Sequence, residues 1–332
     1  MFRYVIRRLL ISIPILLVGT FAAFVLVASS GDPVAALASK PGVTKEVVEN
    51  ARHALGLDQN IFVRYWQWLI HFVRGDWGVS LALGQAQASV FDVVTQSLWV
   101  TVRLVVGAEI IALILGVAVG VLAAVRQYSI FDYIATSAAF LMFSMPIFCV
   151  AIVLKNYGIQ FNNVLVSWGL KRWLTTAGPP TGGFSGSVGN QIVQYTGTFL
   201  LPTLSIMLIS FAAYSRFQRA SMLETMGMDY VRTARAKGLS QGRVIFRHAF
   251  RNALIPVTTY FSLNFGAAFT GAIVTETVFG WHGMGTVLID AVTQYDPNML
   301  MGFLVVTATL IIVFNLIADI MYGFLDPRIR LG

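Results

Sequence analysis

Ionisable side chains inside apolar runs are where a chain this hydrophobic would carry chemistry. Each costs roughly 2.5–3.5 kcal/mol at the centre of a membrane-crossing helix and is a functional candidate by default. Arg103 and Glu109 lie near the outer end of the apolar run 104–125, Glu276 near the outer end of 257–278, and Asp319 near the inner end of 299–321. At such ends snorkelling lowers the cost, so each has a structural reading beside the functional one. Arg103 and Glu109 are also spaced off a shared helical face. The histidines (His53, His71, His248, His282) are scattered over both faces of the chain, and the single cysteine, Cys149, sits in an apolar run. That excludes an intrachain disulfide and a cysteine metal cluster, and Cys149 reads as a small buried apolar residue. No His-Glu-x-x-His, Gly-x-Ser-x-Gly or Gly-x-x-x-x-Gly-Lys-Ser/Thr pattern occurs, so neither a zinc site, a nucleophile elbow nor a phosphate loop is expected. The chain reads as non-catalytic, with no metal or cofactor of its own, and any ATP-driven step needs the nucleotide site of another polypeptide. A proton-coupled carrier would hold acids nearer the midplane, together with inverted repeats.

The elements that position these residues follow from composition. Of 332 residues 57% are hydrophobic and 11% charged, against roughly 25% charged in soluble domains. Mean hydropathy is +0.73, which places the chain in the bilayer. Six apolar stretches are long enough to span it: 9–29, 104–125, 134–154, 198–215, 257–278 and 299–321. Membrane β-strands would be about half that length and would alternate, so the class is an all-α membrane protein with six transmembrane helices. Pro14, Pro146, Pro202 and Pro256 fall in or beside the runs as tolerated kink sites. Gly116-Val-Ala-Val-Gly120 in the second run, and the small pair Ala267 and Gly271 in the fifth, predict close helix contacts.

Arginine and lysine placement sets the orientation. With the N-terminus inside, Arg3, Arg7, Arg8, Arg126, Arg216, Arg219, Arg232, Arg235, Lys237, Arg243, Arg247, Arg251, Arg328 and Arg330 all fall on the cytoplasmic side. Both termini are therefore expected in the cytoplasm. The net charge of +8 is explained by this topology, and no nucleic-acid partner is expected. A basic start followed by an apolar core also describes a secretory signal, but this run exceeds the usual 7–15 residues of a signal core, which favours a retained span.

The chain divides into the N-terminus with the first span (1–30), an external loop with short helices (31–100), and a core of five spans (101–332) that carries a cytoplasmic loop at 216–256. In the external loop, Val47, Val48, Ala51, Ala54 and Leu55 share one face of an amphipathic helix stopped by Gly56. The stretch 61–73 is rich in Phe, Tyr and Trp but too short to span, and is predicted to lie at the headgroup boundary. The connection 155–197 reads as loop, with Gly178-Pro-Pro-Thr-Gly-Gly as its turn-rich centre.

The loop from 216 to 251 holds eight basic and two acidic residues and is longer than antiparallel neighbours require. Asp229 is expected to cap a short helix running to Lys237, with Gly238 as its stop. A second helix over 241–252 would gather Val244, Ile245, His248 and Ala249 before Pro256 opens the fifth span. Two short helices with small or apolar faces suit a groove on a cytoplasmic partner, and they equally suit an anchor on anionic lipid. Charge alone does not separate these readings.

The run Asp229-Tyr-Val-Arg-Thr-Ala-Arg-Ala-Lys-Gly-Leu239, followed by 243–256, resembles the cytoplasmic loop of ABC-importer permeases of the dipeptide/oligopeptide/nickel family, B-type subunit. Other stretches resemble that family in the same order: the first ten residues, Gly31-Asp-Pro33, Leu55-Gly-Leu-Asp58, Arg74-Gly-Asp-Trp-Gly78, Ser144-Met-Pro-Ile-Phe148, the run 275–285 and Leu325-Asp-Pro-Arg-Ile-Arg330. Where the wider superfamily has Glu-Ala-Ala, this chain has Arg232-Thr233-Ala234, so no role is carried over for that glutamate. The resemblance implies a six-span type I importer bundle in the bacterial plasma membrane. It also implies a homologous second permease, two ATPases holding ATP and Mg, an extracytoplasmic solute-binding protein docking on 31–100, and a peptide cargo. Coupling to the ATPases would use Asp229, Tyr230, Arg232, Thr233, Ala234, Arg235, Ala236, Lys237, Gly238 and Leu239. Polar residues of the fourth and fifth runs, Ser205, Ser210, Tyr214, Ser262, Asn264 and Thr270, are candidates to line the passage. The same family handles nickel complexes, glutathione and haem, and a self-sufficient channel or secondary transporter is the competing class, which would transport without any ATPase.

Overall fold

The computed structural model describes residues 2–29, 34, 44–54, 56–80, 88–180 and 183–325. The landmarks Gly31-Asp-Pro33, Leu55 and 326–330 lie outside these. Among the described residues the chain is helical, with a single isolated bridge between Val79 and Ser89. The helices are α1 (Phe2–Ser29), α2 (Lys45–Ala54), α3 (Ile61–Val73), α4 (Val90–Val125), α5 (Ile130–Ser144), α6 (Ile147–Ser167), α7 (Val188–Met226), α8 (Asp229–Ala236), α9 (Gln241–Arg243), α10 (Phe250–Gly271), α11 (Ile273–Phe279), α12 (Met284–Thr293) and α13 (Pro297–Leu325). A π-helical turn, Val244–Ala249, joins α9 to α10.

Among the described residues four helices, α1, α4, α7 and α13, are long and apolar enough to cross alone, and counting each of two bent pairs as one span gives six crossings. The third predicted span is not one rod. α5 and α6 meet at 104°, because the ring of Pro146 drives Met145 out of the helical region to ψ 131°. A kink expected at this proline is therefore a full corner, and α6 continues to Ser167 through residues read from the sequence as loop. The fifth crossing bends by 53° between α10 and α11. Pro256 sits inside α10 and does not open it; the helix already arrives through the π-helical turn.

The core is the long contact of α4 with α7. A methyl group on Gly116 would stand 2.7 Å from Tyr214 Cβ and 3.1 Å from Ser215 N, and one on Gly120 would stand 2.6 Å from Ser215 O. The Gly-x-x-x-Gly spacing thus serves packing within the bundle, as read from the sequence. In the fifth crossing the close approach is made by Gly266, whose added Cβ would lie 3.3 Å from Ile311 Cα. Ala267, the residue chosen from spacing, is exposed.

Outside the bundle, α3 lies along α1. Tyr65 Oη is 2.9 Å from Thr20 Oγ1 and donates to the Leu17 carbonyl at 3.1 Å. A chain of ring contacts, edge-on and stacked, continues from Phe21 and Phe24 through Tyr65, Trp68 and Phe72 to Trp77 and Phe91 at the start of α4. One face of α3 is therefore spent on α1, with Phe62 stacked on Phe21, while Trp66 points outward. Beyond α3, the imidazole of His71 and the amide of Gly78 hold the exposed Asp76 carboxyl below the usual carboxylate range. At the far end, Ser80 donates to the buried Asp296 at 2.5 Å and Asn298 to the Val79 carbonyl at 2.9 Å, tying this external segment to the start of α13.

Candidate functional site

The loop 216–256 folds as a hairpin seated on the bundle. Met228 is extended and supplies no side-chain cap, so Asp229 occupies the first helical position of α8 and does not cap it. Its carboxylate still favours that end of the helix dipole and lies 3.8 Å from Arg232. Val231 and Ala234 are buried with Val121, Ala124, Met222, Val244, Ile245, Ala249 and Ala253. That cluster glues α8 to the ends of α4 and α7 and to the π-helical turn. Ala234 is thus turned into the bundle and offers nothing outward, a correction to its place in the coupling set. Asp229, Tyr230, Arg232, Thr233, Arg235, Ala236, Lys237 and Gly238 are exposed, and Leu239 is half-buried. Gly238 ends the helix at φ +77°, with its N–H donating to the Arg235 carbonyl. Asn252 donates to Tyr230 Oη at 2.8 Å, pinning α8 to α10. Phe246, on the π-helical turn and 67% exposed, was not singled out from sequence. An aromatic left outside the apolar face of its own helix is the signal that would have found it.

Beside this hairpin, α5 is clamped to α7. Arg219 donates from Nε and Nη2 to the two oxygens of Asp132 at 2.6 and 2.9 Å, a bidentate fork. Arg216 lies over the rings of Phe140 and Phe143 at 4.2 and 4.7 Å. Arginines that serve as topology markers in the sequence therefore also hold the corner piece α5 in place. Arg219→Met is expected to lower stability by about 3 kcal/mol, because it strands a buried carboxylate. A melting curve in detergent reads this, and Asp132→Asn added to Arg219→Met should regain part of the loss by removing the charge.

In the bundle interior the six candidate pathway residues part company. Ser205 and Ser262 are buried and donate to the Pro202 and Thr258 carbonyls of their own helices at 2.8 and 2.9 Å. Asn264 does the same to Tyr260 at 2.9 Å but remains partly exposed. The Thr270 side chain, like that of Asp319, lies outside the described residues. Ser210 and Tyr214 donate to the two oxygens of Glu109 at 2.7 and 2.5 Å, and Glu109 is 3% exposed. Tyr214, fully buried, also stacks edge-on to Tyr260. Glu109 is thus a tie between α4 and α7 well inside the bundle and does not snorkel outward. An acid on one span and hydroxyls at i,i+4 on another were both visible in sequence; their pairing was not. Arg103 lies over the Trp99 ring at 5.3 Å, also without reference to Glu109. Glu276 is fully buried.

The arrangement, among the described residues, holds no group of His, Cys, Asp or Glu that could bind a metal ion. It offers a bundle with a stiff handle. Residues 116–331 match the model for the binding-protein-dependent transport system inner membrane component, and residues 1–105 match the N-terminal model for membrane components of such systems. The chain belongs to this family. Relatives match from end to end. The oligopeptide transport system permease protein OppB of Mycobacterium tuberculosis is 34% identical over 100% of both chains. The dipeptide transport system permease protein DppB of Escherichia coli K12 is 37% identical over 99% of each, and AppB, an oligopeptide transport system permease protein of Bacillus subtilis, 35% identical over 98% of this chain and 99% of that one. A solved structure of the MetNI methionine ABC transporter in inward-facing conformations covers 70% of this chain and 96% of its own at 16% identity, with a TM-score of 0.50; it supports the fold alone. As a member of the family the chain is a multi-pass inner-membrane permease component, and its kin are permease subunits of transport systems.

Proposed function

We propose that this chain forms half of the translocation pathway of an ATP-driven importer of dipeptides and oligopeptides. A homologous second permease supplies the other half, two cytoplasmic ATPases hold ATP and Mg, and an extracytoplasmic binding protein delivers cargo to the external loop. The observation that carries this reading is the end-to-end match to relatives named for oligopeptide and dipeptide transport. The cytoplasmic hairpin supports it. A helix joined to α7 at one end and α10 at the other passes a displacement of its exposed face to both spans, and its outward residues, from Tyr230 to Lys237, carry the charge an acidic groove would meet. Both termini are cytoplasmic in this reading, the chain binds no cofactor, and its work is to present two access states whose balance the ATPases shift. The half-exposed Ser210 and Asn264 remain candidates to line the passage.

Purification in mild detergent is expected to bring down a second permease and an ATPase, and vesicles holding the assembly should take up a labelled tripeptide only with ATP and the binding protein. Uptake by this chain alone would assign it to the channel or secondary-transporter class. Competition by a nickel complex, glutathione or haem, but not by peptides, would move the cargo within the family.

A further inference from the structure

We propose that the hairpin of α11 and α12 is a plug closing the extracytoplasmic mouth of the passage, and that Thr101 and Lys155 are the positioning residues that latch it. This rests on the orientation proposed above.

Between α10 and α13 the chain does not cross directly. It bends by 53° into α11, turns at Gly280, and continues through α12. The apolar side chains beside the turn are buried against three helices. Phe279 and Trp281 pack with Leu104, Ala151, Phe199 and Leu201, and Ala272 packs with Val105, Ala108 and Ile206. The hairpin therefore occupies the space enclosed by α4, α6 and α7 at one end of the bundle. Directly against it lies Ser205, fully buried, its Oγ 3.5 Å from Thr275 Oγ1.

What holds this segment is polar and comes from outside it. Thr101 of α4 donates to Glu276 Oε1 at 2.6 Å and accepts from the Met284 amide at 2.8 Å, while Glu276 Oε2 accepts from the Gly285 amide at 2.8 Å. One hydroxyl thus joins the carboxyl group of α11 to the first amides of α12, whose N–H groups have no partner within their own helix. At the opposite end of α11, Lys155 of α6 donates to the Val278 carbonyl at 2.6 Å and the Gly178 amide to the Phe279 carbonyl at 2.5 Å. A cation at a helix C-terminus is the complementary cap. The hairpin is tightly closed on itself and against Thr101: a Cβ on Gly283 would lie 2.3 Å from Glu276 Oε1 and 2.5 Å from Thr101 Oγ1, and one on Gly285 would lie 2.5 Å from Ile273 Cα. The attractions are few, strong and mutually oriented, whereas the walls are smooth apolar contact. Such a seat is broken by losing a small number of hydrogen bonds at once, which suits a part that must leave and return.

The test uses the full assembly in proteoliposomes, with Cys149→Ala removing the chain's single cysteine and Ser205→Cys reporting on the plug. A membrane-impermeant thiol reagent outside should leave position 205 unlabelled while the latch is intact. Thr101→Val, which removes the shared hydroxyl and keeps the shape, should raise the labelling rate by about tenfold, the effect of losing one or two buried hydrogen bonds. Thr101→Ser, which restores the hydroxyl, should return it to the protected level, a rescue that a general loosening of the fold would not show. Lys155→Met removes the second tie from a different helix and decides the matter should Thr101→Val fail to assemble. Assembled Thr101→Val and Lys155→Met proteins that both stay unlabelled would overturn the latch. The exposed tip residue His282, as His282→Cys, reports sidedness in every background. If it resists the external reagent, the hairpin faces the other side, and the orientation fails together with the plug. If it labels while position 205 does not respond, the latch alone fails.

Discussion

Gly120→Leu should leave almost no folded protein. A Cβ at that position would stand 2.6 Å from Ser215 O, 2.8 Å from Gln218 Cβ and 3.1 Å from Arg219 N. Two of the three are backbone atoms, which cannot rotate away as a side-chain end could. The helices must then separate along the contact that holds most of the core, and Gly116, one turn away on the same face, loses its close approach to Tyr214 and Ser215 as well. Lipid tails solvate an apolar helix as well as another helix does, so association within the bilayer relies on close packing and hydrogen bonds. Separation removes the first along the whole seam and stretches the second at Glu109 with Ser210 and Tyr214. Overpacking alone costs about 1–3 kcal/mol; the coupled losses take the total beyond it. Size-exclusion chromatography of a fluorescent fusion in mild detergent reads the yield. Gly189→Leu, on α7 where an added Cβ meets nothing within 4 Å, is the matched control and should elute as wild type. A monodisperse Gly120→Leu protein with an unchanged melting curve would show that α4 and α7 are not held as described.

Gly238→Arg tests the handle and should behave oppositely: full insertion, no uptake. Gly238 adopts φ +77° with open space where a Cβ would go, so an arginine meets no clash. The left-handed backbone costs it about 1–2 kcal/mol, a local strain at an exposed turn that the buried Val231 and Ala234 contacts can absorb. The added bulk and charge project from the end of α8 beside Lys237, on the face proposed to seat against the ATPases. Peptide uptake by vesicles should therefore be abolished while the inserted amount and the melting temperature stay near wild type, and ATPase co-purification should weaken. Gly238→Ala carries the same backbone strain without the bulk, and separates the two causes: it should keep uptake. Normal uptake by Gly238→Arg would remove this part of the loop from the coupling interface.

Which parts of this molecule were legible without coordinates follows from the solvent. Hydrocarbon imposes a one-dimensional rule, roughly 20 apolar residues per crossing, and positive residues stay inside. Class, crossings and proposed orientation could be read from composition and order alone. Glycine stops and the Gly-x-x-x-Gly seam were legible for a similar reason, since a missing Cβ is a local property. Helix ends outside the apolar runs were not. α7 begins at Val188 and continues to Met226, well past the run at 198–215, because a polar helix in water and a polar loop have the same composition.

Partners distant in sequence were equally hidden. Glu109 read as an acid near a membrane surface, and only packing put Ser210 and Tyr214 against its two oxygens. Ala234 read as part of a surface for a foreign partner, and only the fold showed that it is buried against the ends of α4 and α7. The corner at Pro146, the 53° bend between α10 and α11 and the shared hydroxyl of Thr101 belong to the same group. The sequence by itself determined what the bilayer can test one helix at a time: crossings, family and the loop that sets this chain apart. Tertiary structure alone decided which polar groups satisfy one another, because in a medium without water each buried donor must find an acceptor wherever the fold brings one.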